Sequence, residues 1–93
     1  MVAALFIIDV QNDFTEGGAL GVDGGAAVAA GISDYLRANP ERYDVVIASR
    51  DWHDGDNSNG GHFATDAAPN FVDTWPVHCV AGTPGAEYHS ALD

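Results

Sequence analysis

Two short apolar runs mark where strands are expected in this chain. The first covers residues 2–8 and ends at Asp9, and the second covers residues 43–49 and ends shortly before Asp51. The first run is unbroken, which is typical of a parallel strand that is covered on both faces, and the second is rich in β-branched residues. The pattern therefore predicts two parallel strands, each followed by an acidic residue.

Between the two runs, apolar residues recur with the period of a helix. From residue 26 onward, this stripe consists of Val28, Ile32, Tyr35 and Leu36, and a helix places such residues on one face. Asn39-Pro40 ends the pattern, because proline disfavours helical geometry in the residue before it. Strand, helix and strand within about fifty residues form a βαβ unit. The predicted fold class is α/β, a partial parallel sheet with a flanking helix.

The remaining segments are predicted to be loops. Residues 11–25 are rich in Gly and Asx turn formers, and residues 54–70 have little apolar content. A loop as long as the second one is usually functional or disordered in a compact domain. One helix and two strands cannot bury both faces of a parallel sheet. We therefore expect residues 1–93 to be part of a single larger domain, whose remaining strands either come from further polypeptide or were lost by truncation or proteolysis.

Charge and composition narrow the classes of partner. The chain has 14 acidic residues against three arginines, with no lysine and a formal net charge of −11. This charge repels phosphates and so disfavours nucleic acid and anionic lipid as partners. The apolar opening is too short to span a bilayer and lacks the pattern of a signal peptide. The single cysteine excludes an intrachain disulfide. Together, these features predict a cytoplasmic protein without a membrane partner.

Carboxylate and imidazole side chains follow the predicted strands. Ligands of open α/β sheets bind at the carboxyl ends of strands, so we expect Asp9 and Asp51 to face a common pocket. In extended backbone Asp51 and His53 project to the same side, and His62 and His78 follow later in the chain. Such a set without thiolates suits a divalent ion such as Zn, Fe(II) or Mn(II). The alternative interpretation is that the acidic residues cap turns and that the histidines are ordinary surface residues on a polar loop.

Cys79 and three aromatic residues allow two interpretations each. Cys79 lies beside His78, but adjacent residues seldom direct their side chains at each other, and a catalytic thiolate needs a basic neighbour within reach. We interpret Cys79 as a small packing residue. Phe14, Trp52 and Trp75 are singly typical of a core, and together they suit the walls of a site for a flat ligand.

Three segments resemble the signatures of one enzyme family. They are residues 7–14 (IIDVQNDF) with the EGG that follows at 16–18, residues 50–53 (RDWH) and residues 75–86 (WPVHCVAGTPGA). These segments are similar to the signatures of nicotinamidases, also called pyrazinamidases, which are isochorismatase-like cysteine hydrolases. The match runs along essentially the whole chain. It implies the N-terminal half of an isochorismatase-like three-layer α/β/α fold.

The resemblance also implies roles for individual side chains. Asp9 matches the aspartate of an Asp-Lys-Cys triad, and Phe14 and Trp75 match positions that pack against a pyridine or pyrazine ring. The residues at the family's metal-ligand positions are Asp51, His53, His78 and, in only part of the family, His62. The family's divalent ion, for which zinc, iron and manganese all stay open here, binds the ring nitrogen and so orients the substrate.

The activity implied is hydrolysis of nicotinamide and pyrazinamide-like amides to the carboxylic acid and ammonia, within NAD salvage and pyridine nucleotide biosynthesis. Asp9 would take the proton of a cysteine, whose thiolate forms a thioester with the carboxamide carbon as ammonia leaves. The family's lysine and nucleophilic cysteine lie downstream of residues 82–85, beyond residue 93, and Cys79 matches a non-catalytic position. We therefore expect this chain alone to be inactive and to need a C-terminal segment or second chain that completes the fold.

Two other functions are compatible with the same residues. A related cysteine hydrolase would act on another amide or on isochorismate, but such relatives generally lack the metal site. An inactive fragment would only bind a divalent ion or pair with a partner subunit. Metal content separates the first alternative from a nicotinamidase, and an assay with a complementing segment separates the second.

Overall fold

The computed structural model describes residues 2–65 and 67–92. In chain order its elements are strand β1 (Ala4–Ile8), a 3₁₀ turn (Asn12–Phe14), helix α1 (Gly25–Ala38), strand β2 (Val45–Ser49) and a second 3₁₀ turn (Pro84–Ala86). The two strands pair in parallel, which confirms the predicted α/β class and the strand, helix, strand order. Both strands begin two residues later than predicted. In the part of the chain that is described, no helix is long and apolar enough to cross a membrane.

Helix α1 begins and ends at local signals. It starts after Gly24, whose φ of 87° lies in the left-handed region that favours glycine. At the other end, the backbone N–H and the side-chain Nδ2 of Asn39 both donate to the carbonyl oxygen of Tyr35, at 3.0 and 2.8 Å. These bonds satisfy a carbonyl that the helix leaves without an internal partner. The end predicted at Asn39-Pro40 is therefore confirmed.

The buried face of α1 matches the predicted apolar stripe only in part, since Ile32 and Leu36 of that stripe are partly buried. Val28 and Tyr35 are exposed, whereas Ala29 and Ser33 are buried. The Ser33 hydroxyl donates to the carbonyl oxygen of Ala91 at 2.7 Å, so this face packs against the C-terminal backbone. Close approach to backbone requires small side chains, which explains why Ala29 and Ser33 are fully buried here while Val28 and Tyr35 are not.

The sheet of this chain is open to solvent. Of the β1 residues, Ile7 is buried, but Phe6 and Ile8 are 61% and 67% exposed, and Val46 in β2 is 46% exposed. The expectation that one helix cannot cover a parallel sheet is met. The radius of gyration of 15.3 Å also exceeds the roughly 12 Å expected of a compact domain of this length.

The long segment after β2 is ordered by backbone hydrogen bonds between distant residues. The N–H of His53 donates to the carbonyl of Cys79, and the N–H of Ala81 donates to the carbonyl of His53, both at 2.8 Å. Further along, Phe63 and Trp75 form a parallel bridge. These contacts bring the region around residue 53 and the region around residue 62 against residues 75–81. They thereby build the wall on which the candidate site lies.

Candidate metal centre and ring-binding cavity

The four side chains predicted to bind a metal lie together. One ring nitrogen from each of His53, His62 and His78 lies within 4.8 Å of the others. The Asp51 carboxylate bridges two of them, with Oδ1 2.9 Å from His53 Nε2 and Oδ2 3.3 Å from His78 Nε2. His62 Nε2 is 3.3 Å from His78 Nε2. Residues separated by up to 27 positions in the sequence therefore converge on one point.

The spacing and the chemistry of these atoms fit a divalent cation. An ion that holds two nitrogens at ~2.0–2.1 Å in tetrahedral geometry separates them by roughly 3.3 Å, and the Nε2 atoms of His62 and His78 are 3.3 Å apart. His53 Nε2 is buried without a hydrogen-bond partner, because Asp51 Oδ1 is close but poorly aligned. A buried polar atom without a partner is costly, and a cation between the rings would satisfy it.

The orientation of His78 makes its Nε2 available as a ligand. Nδ1 lies 2.7 Å from the carbonyl oxygen of Pro76, and a carbonyl only accepts, so Nδ1 carries the proton. In the neutral ring, Nε2 then has a free lone pair directed at the cluster. Such a hydrogen bond on the far side of the ring is the usual way in which a metal-binding histidine is oriented.

The electrostatics of the cluster favour the neutral form of the His62 imidazole. Burial lowers the pKa of His62, the neighbouring rings of His53 and His78 lower it further, and the Asp51 carboxylate acts in the opposite direction. Neutral imidazole is the form that binds a metal. The cluster therefore keeps His62 in its ligating form at a lower pH than an ordinary histidine.

A cavity of about 290 Å³ opens directly onto the four ligands. Its other walls are Phe14, Leu20 and Trp75, which make it apolar on the side away from the imidazoles. The Phe71 ring stands edge-on against the Trp75 indole, with centroids 6.0 Å apart. A cavity with flat apolar walls and a polar end suits a small planar molecule that carries one basic atom. Leu20 had no signal in the sequence, since it lies in a glycine-rich loop without apolar periodicity.

Trp52 does not belong to this cavity. It is half exposed, and the Arg50 guanidinium lies 4.4 Å from its ring centroid, an arrangement that contributes a cation–π interaction. Of the three aromatic residues considered together in the sequence, only Phe14 and Trp75 wall the site.

Asp9 lies next to the metal-binding cluster but in a different cavity. Its φ is 55°, and Oδ1 accepts a hydrogen bond from the Ser49 hydroxyl at 2.9 Å, so the carboxylate is turned back towards β2. It lines a neighbouring cavity of about 190 Å³, and Phe14 lines both cavities. In this chain Asp9 and Asp51 thus line two neighbouring cavities that share the Phe14 side chain, and the expectation that they face one pocket stays a prediction.

Comparison with known proteins establishes the family. Residues 3–93 match the family model described as the isochorismatase domain. This chain belongs to the isochorismatase domain family. The nicotinamidase/pyrazinamidase of Mycobacterium tuberculosis is 52% identical over 90 residues, which cover 97% of this chain and 45% of that protein. The chain thus spans about half the length of the curated relatives that it matches.

Two solved structures resemble this isochorismatase-family chain closely. The pyrazinamidase of Pyrococcus horikoshii in complex with zinc has a TM-score of 0.71 and 38% identity, covering 91% of this chain and 43% of its own. PnC1 from L. infantum in complex with nicotinate has a TM-score of 0.76 and 34% identity, covering 99% and 42%. The family resemblance drawn from three sequence segments is therefore confirmed.

Cys79 of this isochorismatase-family chain has the environment of a packing residue. It is fully buried, and burial raises the pKa of its thiol to about 12, with further contributions from Asp51, Asp13 and Asp9. Nucleophilic attack requires a thiolate, and a thiol with this pKa stays protonated near neutral pH.

Two polar residues behind the ligands were missed in the sequence. Asp13 Oδ2 accepts the N–H of Cys79 at 2.7 Å, and a side chain at Gly85 would overlap the Asp13 carboxylate. Gln11 is fully buried and bonds to the backbone of Asp51. Both residues hold loop backbone next to a ligand. In the sequence they are recognisable only as polar residues that follow a strand, and this does not identify their hydrogen-bond partners.

Proposed function

We propose that this chain is the metal-binding and ring-binding part of a nicotinamidase, which hydrolyses nicotinamide and pyrazinamide-like carboxamides to the acid and ammonia. The observation that carries this proposal is the convergence of Asp51 and three imidazoles on a cavity walled by Phe14 and Trp75. The relative from Mycobacterium tuberculosis, named nicotinamidase/pyrazinamidase, supports the choice of substrate.

In this proposal the cavity binds the substrate by its ring. The flat pyridine or pyrazine ring packs between Phe14 and Trp75, and its ring nitrogen points towards the imidazole cluster. A divalent ion held there by Asp51, His53, His78 and His62 would supply a Lewis acid for the ring nitrogen. The similar structures in complex with zinc and with nicotinate support an ion and an aromatic carboxylate as ligands of such a site. The residues are compatible with zinc, iron or manganese.

Asp9 is the proposed general base. It takes the proton of a cysteine thiol, and the sulfur forms a bond to the carboxamide carbon. As the C–N bond breaks, the amide nitrogen takes this proton from Asp9 and leaves as ammonia. Water then hydrolyses the thioester to the acid and returns the thiol. Cys79 is unsuited to this role, since it is buried with a pKa of about 12. The chain also contains no lysine.

We propose that a further polypeptide segment supplies the cysteine and lysine and completes the domain of which residues 1–93 are the N-terminal part. The exposed apolar side chains of Phe6, Ile8 and Val46 provide a surface for it, because apolar patches of this kind mark contacts with other polypeptide. The segment is either continuous with this domain or a second chain. We place the activity in the cytoplasm and in NAD salvage, as the sequence predicted.

A complementation assay tests this proposal. The chain is mixed with zinc and with the matching C-terminal part of the Mycobacterium tuberculosis relative, and ammonia release from nicotinamide is measured. We expect turnover in the mixture, and none with the chain alone or with an Asp9→Asn variant in the mixture.

Two results would contradict the proposal. Turnover by the chain alone would show that no further segment is needed. A mixture that forms a complex, binds zinc and releases no ammonia would favour the second candidate function, a metal-binding partner subunit without catalysis. The open sheet is the observation that favours this second candidate.

A further inference from the structure

Gln11 lies behind the metal-binding cluster and is fully buried. Its side-chain amide pairs with the backbone of a single residue, Asp51. Nε2 donates to the Asp51 carbonyl oxygen, and Oε1 accepts the Asp51 N–H, both at 2.8 Å. The second Nε2 hydrogen goes to the carbonyl oxygen of Ala86, also at 2.8 Å. These bonds determine how the amide is oriented, because a flipped amide would place its oxygen against two carbonyl oxygens.

Asp51 needs such a support for its backbone. β2 ends at Ser49, so the sheet ladder does not extend to Asp51. Its carboxylate nevertheless has to reach both His53 Nε2 and His78 Nε2, at 2.9 and 3.3 Å. Hydrogen bonds to the N–H and to the carbonyl of one residue fix both of its flanking peptide planes, and with them the direction of its Cα–Cβ bond.

Gln11 acts at a distance from the ion and the substrate. It lines the neighbouring cavity of Asp9 and not the cavity of the imidazoles. It also follows β1 closely in sequence, so its position depends on the pairing of β1 with β2. The Gln11 side chain therefore links the pairing of the two strands to the position of the Asp51 carboxylate.

We propose that Gln11 is a positioning residue for the divalent-ion site, which it serves by holding the backbone of Asp51. This inference rests on the metal site of the proposed function. Replacement of the amide by an isosteric acid, Gln11→Glu, keeps Oε1 but places a second oxygen between the carbonyls of Asp51 and Ala86. At most one of the two carbonyls then receives a hydrogen bond, and Asp51 is free to turn.

The neighbouring residue offers a matched control. The Asn12 side-chain amide donates to the carbonyl oxygen of Pro84 at 2.8 Å, so it holds the same 3₁₀ turn that Gln11 contacts at Ala86. It makes no contact with the Asp51 backbone among the described hydrogen bonds. Asn12→Asp is likewise an isosteric exchange of amide for acid. A role confined to this turn would therefore affect both variants alike.

The test is a titration of the metal-free chain and of each variant with Co(II), followed by the visible absorption of the bound ion. Thermal unfolding of each metal-free protein is measured in parallel. We expect Gln11→Glu to weaken Co(II) affinity by about 10- to 100-fold, as is typical when the residues supporting metal ligands are changed. The absorption band should also shift, while Asn12→Asp keeps the band of the unaltered chain and its affinity within about threefold.

Each other outcome contradicts a specific part of the account. If Gln11→Glu binds Co(II) as tightly as the unaltered chain and with the same band, the positioning role is wrong and the metal site stands. Equal losses in both variants, in proportion to their unfolding temperatures, would show a role in loop stability alone. If the unaltered chain binds no Co(II), the metal site fails and this inference fails with it. Gln11→Asn, whose amide is one methylene too short, replaces Gln11→Glu if the acid does not fold, with the same expectation.

Discussion

The loops around the imidazole cluster bury several of their side chains within this chain, whereas the two-stranded sheet leaves most of its apolar side chains exposed. In the loops, His78, Cys79 and Phe63 are buried, and backbone bonds join residue 53 to residues 79 and 81. In the sheet, most of the apolar side chains of both strands face solvent. The candidate metal centre is thus built by contacts within the described chain, whereas we propose that further polypeptide completes the surroundings of Asp9. We therefore expect this chain to bind a divalent ion without catalysing a reaction by itself.

The largest expected effect is on stability, and it contrasts two phenylalanines. Phe63 is 4% exposed and Phe6 is 61% exposed. Phe63→Ala should lower the free energy of unfolding by ~3–5 kcal/mol, because it leaves a cavity beside the imidazoles. Phe6→Ala should change it by less than about 0.5 kcal/mol. Urea denaturation of both variants measures this, and equal effects would contradict the difference between the two regions.

Removal of a ligand should have the next largest effect. The His78 imidazole contacts Asp51 and His62. His78→Ala should therefore weaken zinc binding by at least about 100-fold, which is the upper end of the loss expected when only a residue that supports a metal ligand is changed. His89 is the control, since its Nδ1 accepts the N–H of Ala91 and its ring lies outside the cluster. His89→Ala should keep zinc affinity, as measured by calorimetric titration. A similar loss in both variants would argue against a specific site.

A smaller effect is expected on the apolar walls of the site. Trp75 lines the cavity and Trp52 does not. Trp75→Ala should weaken nicotinamide binding to the zinc-loaded chain by about tenfold, since aromatic stacking contributes ~0.5–1.5 kcal/mol beyond buried area. Trp52→Ala should leave the affinity unchanged. Ligand-observed NMR gives both values. If Trp52→Ala has the larger effect, the ring is bound elsewhere.

The smallest effect expected is a pH dependence. The pKa of His62 is lowered from the ordinary value of 6.5 by burial, so the folded chain binds this proton less readily than the unfolded chain. Stability of the metal-free chain should therefore fall as the pH drops below 6.5. Zinc affinity should fall in the same range, because protons compete for the rings. Unfolding curves from pH about 8 to about 5 test this, and a stability that rises on acidification would contradict it.

Much of the fold and of the site could be predicted because their signals are local. The apolar runs located both strands to within two residues, and the i, i+2 spacing of Asp51 and His53 placed two ligands on one side. The buried face of α1 could be predicted only in part, since periodicity does not reveal that Ser33 packs against the backbone of Ala91. The direction of Asp9 depends on its left-handed backbone, for which its sequence carries no signal.

The approach of His62 to His78 is the clearest example of a feature beyond sequence spacing. The two residues are 16 positions apart, and the bridge between Phe63 and Trp75 brings their segments together. This bridge forms within a loop of low apolar content, where neither helical nor strand periodicity applies. The family resemblance supplied the candidate ligand set, and the tertiary contacts explain how these four side chains meet.

We propose that three of the four histidines bind one divalent ion. Zinc titration followed by the histidine side-chain signals in nitrogen-15 NMR tests it most directly. We predict that the signals of His53, His62 and His78 shift together and saturate at one zinc per chain, while those of His89 stay in place. Shifts of His89 along with the others, or a cluster in which fewer than two rings respond, would contradict the account.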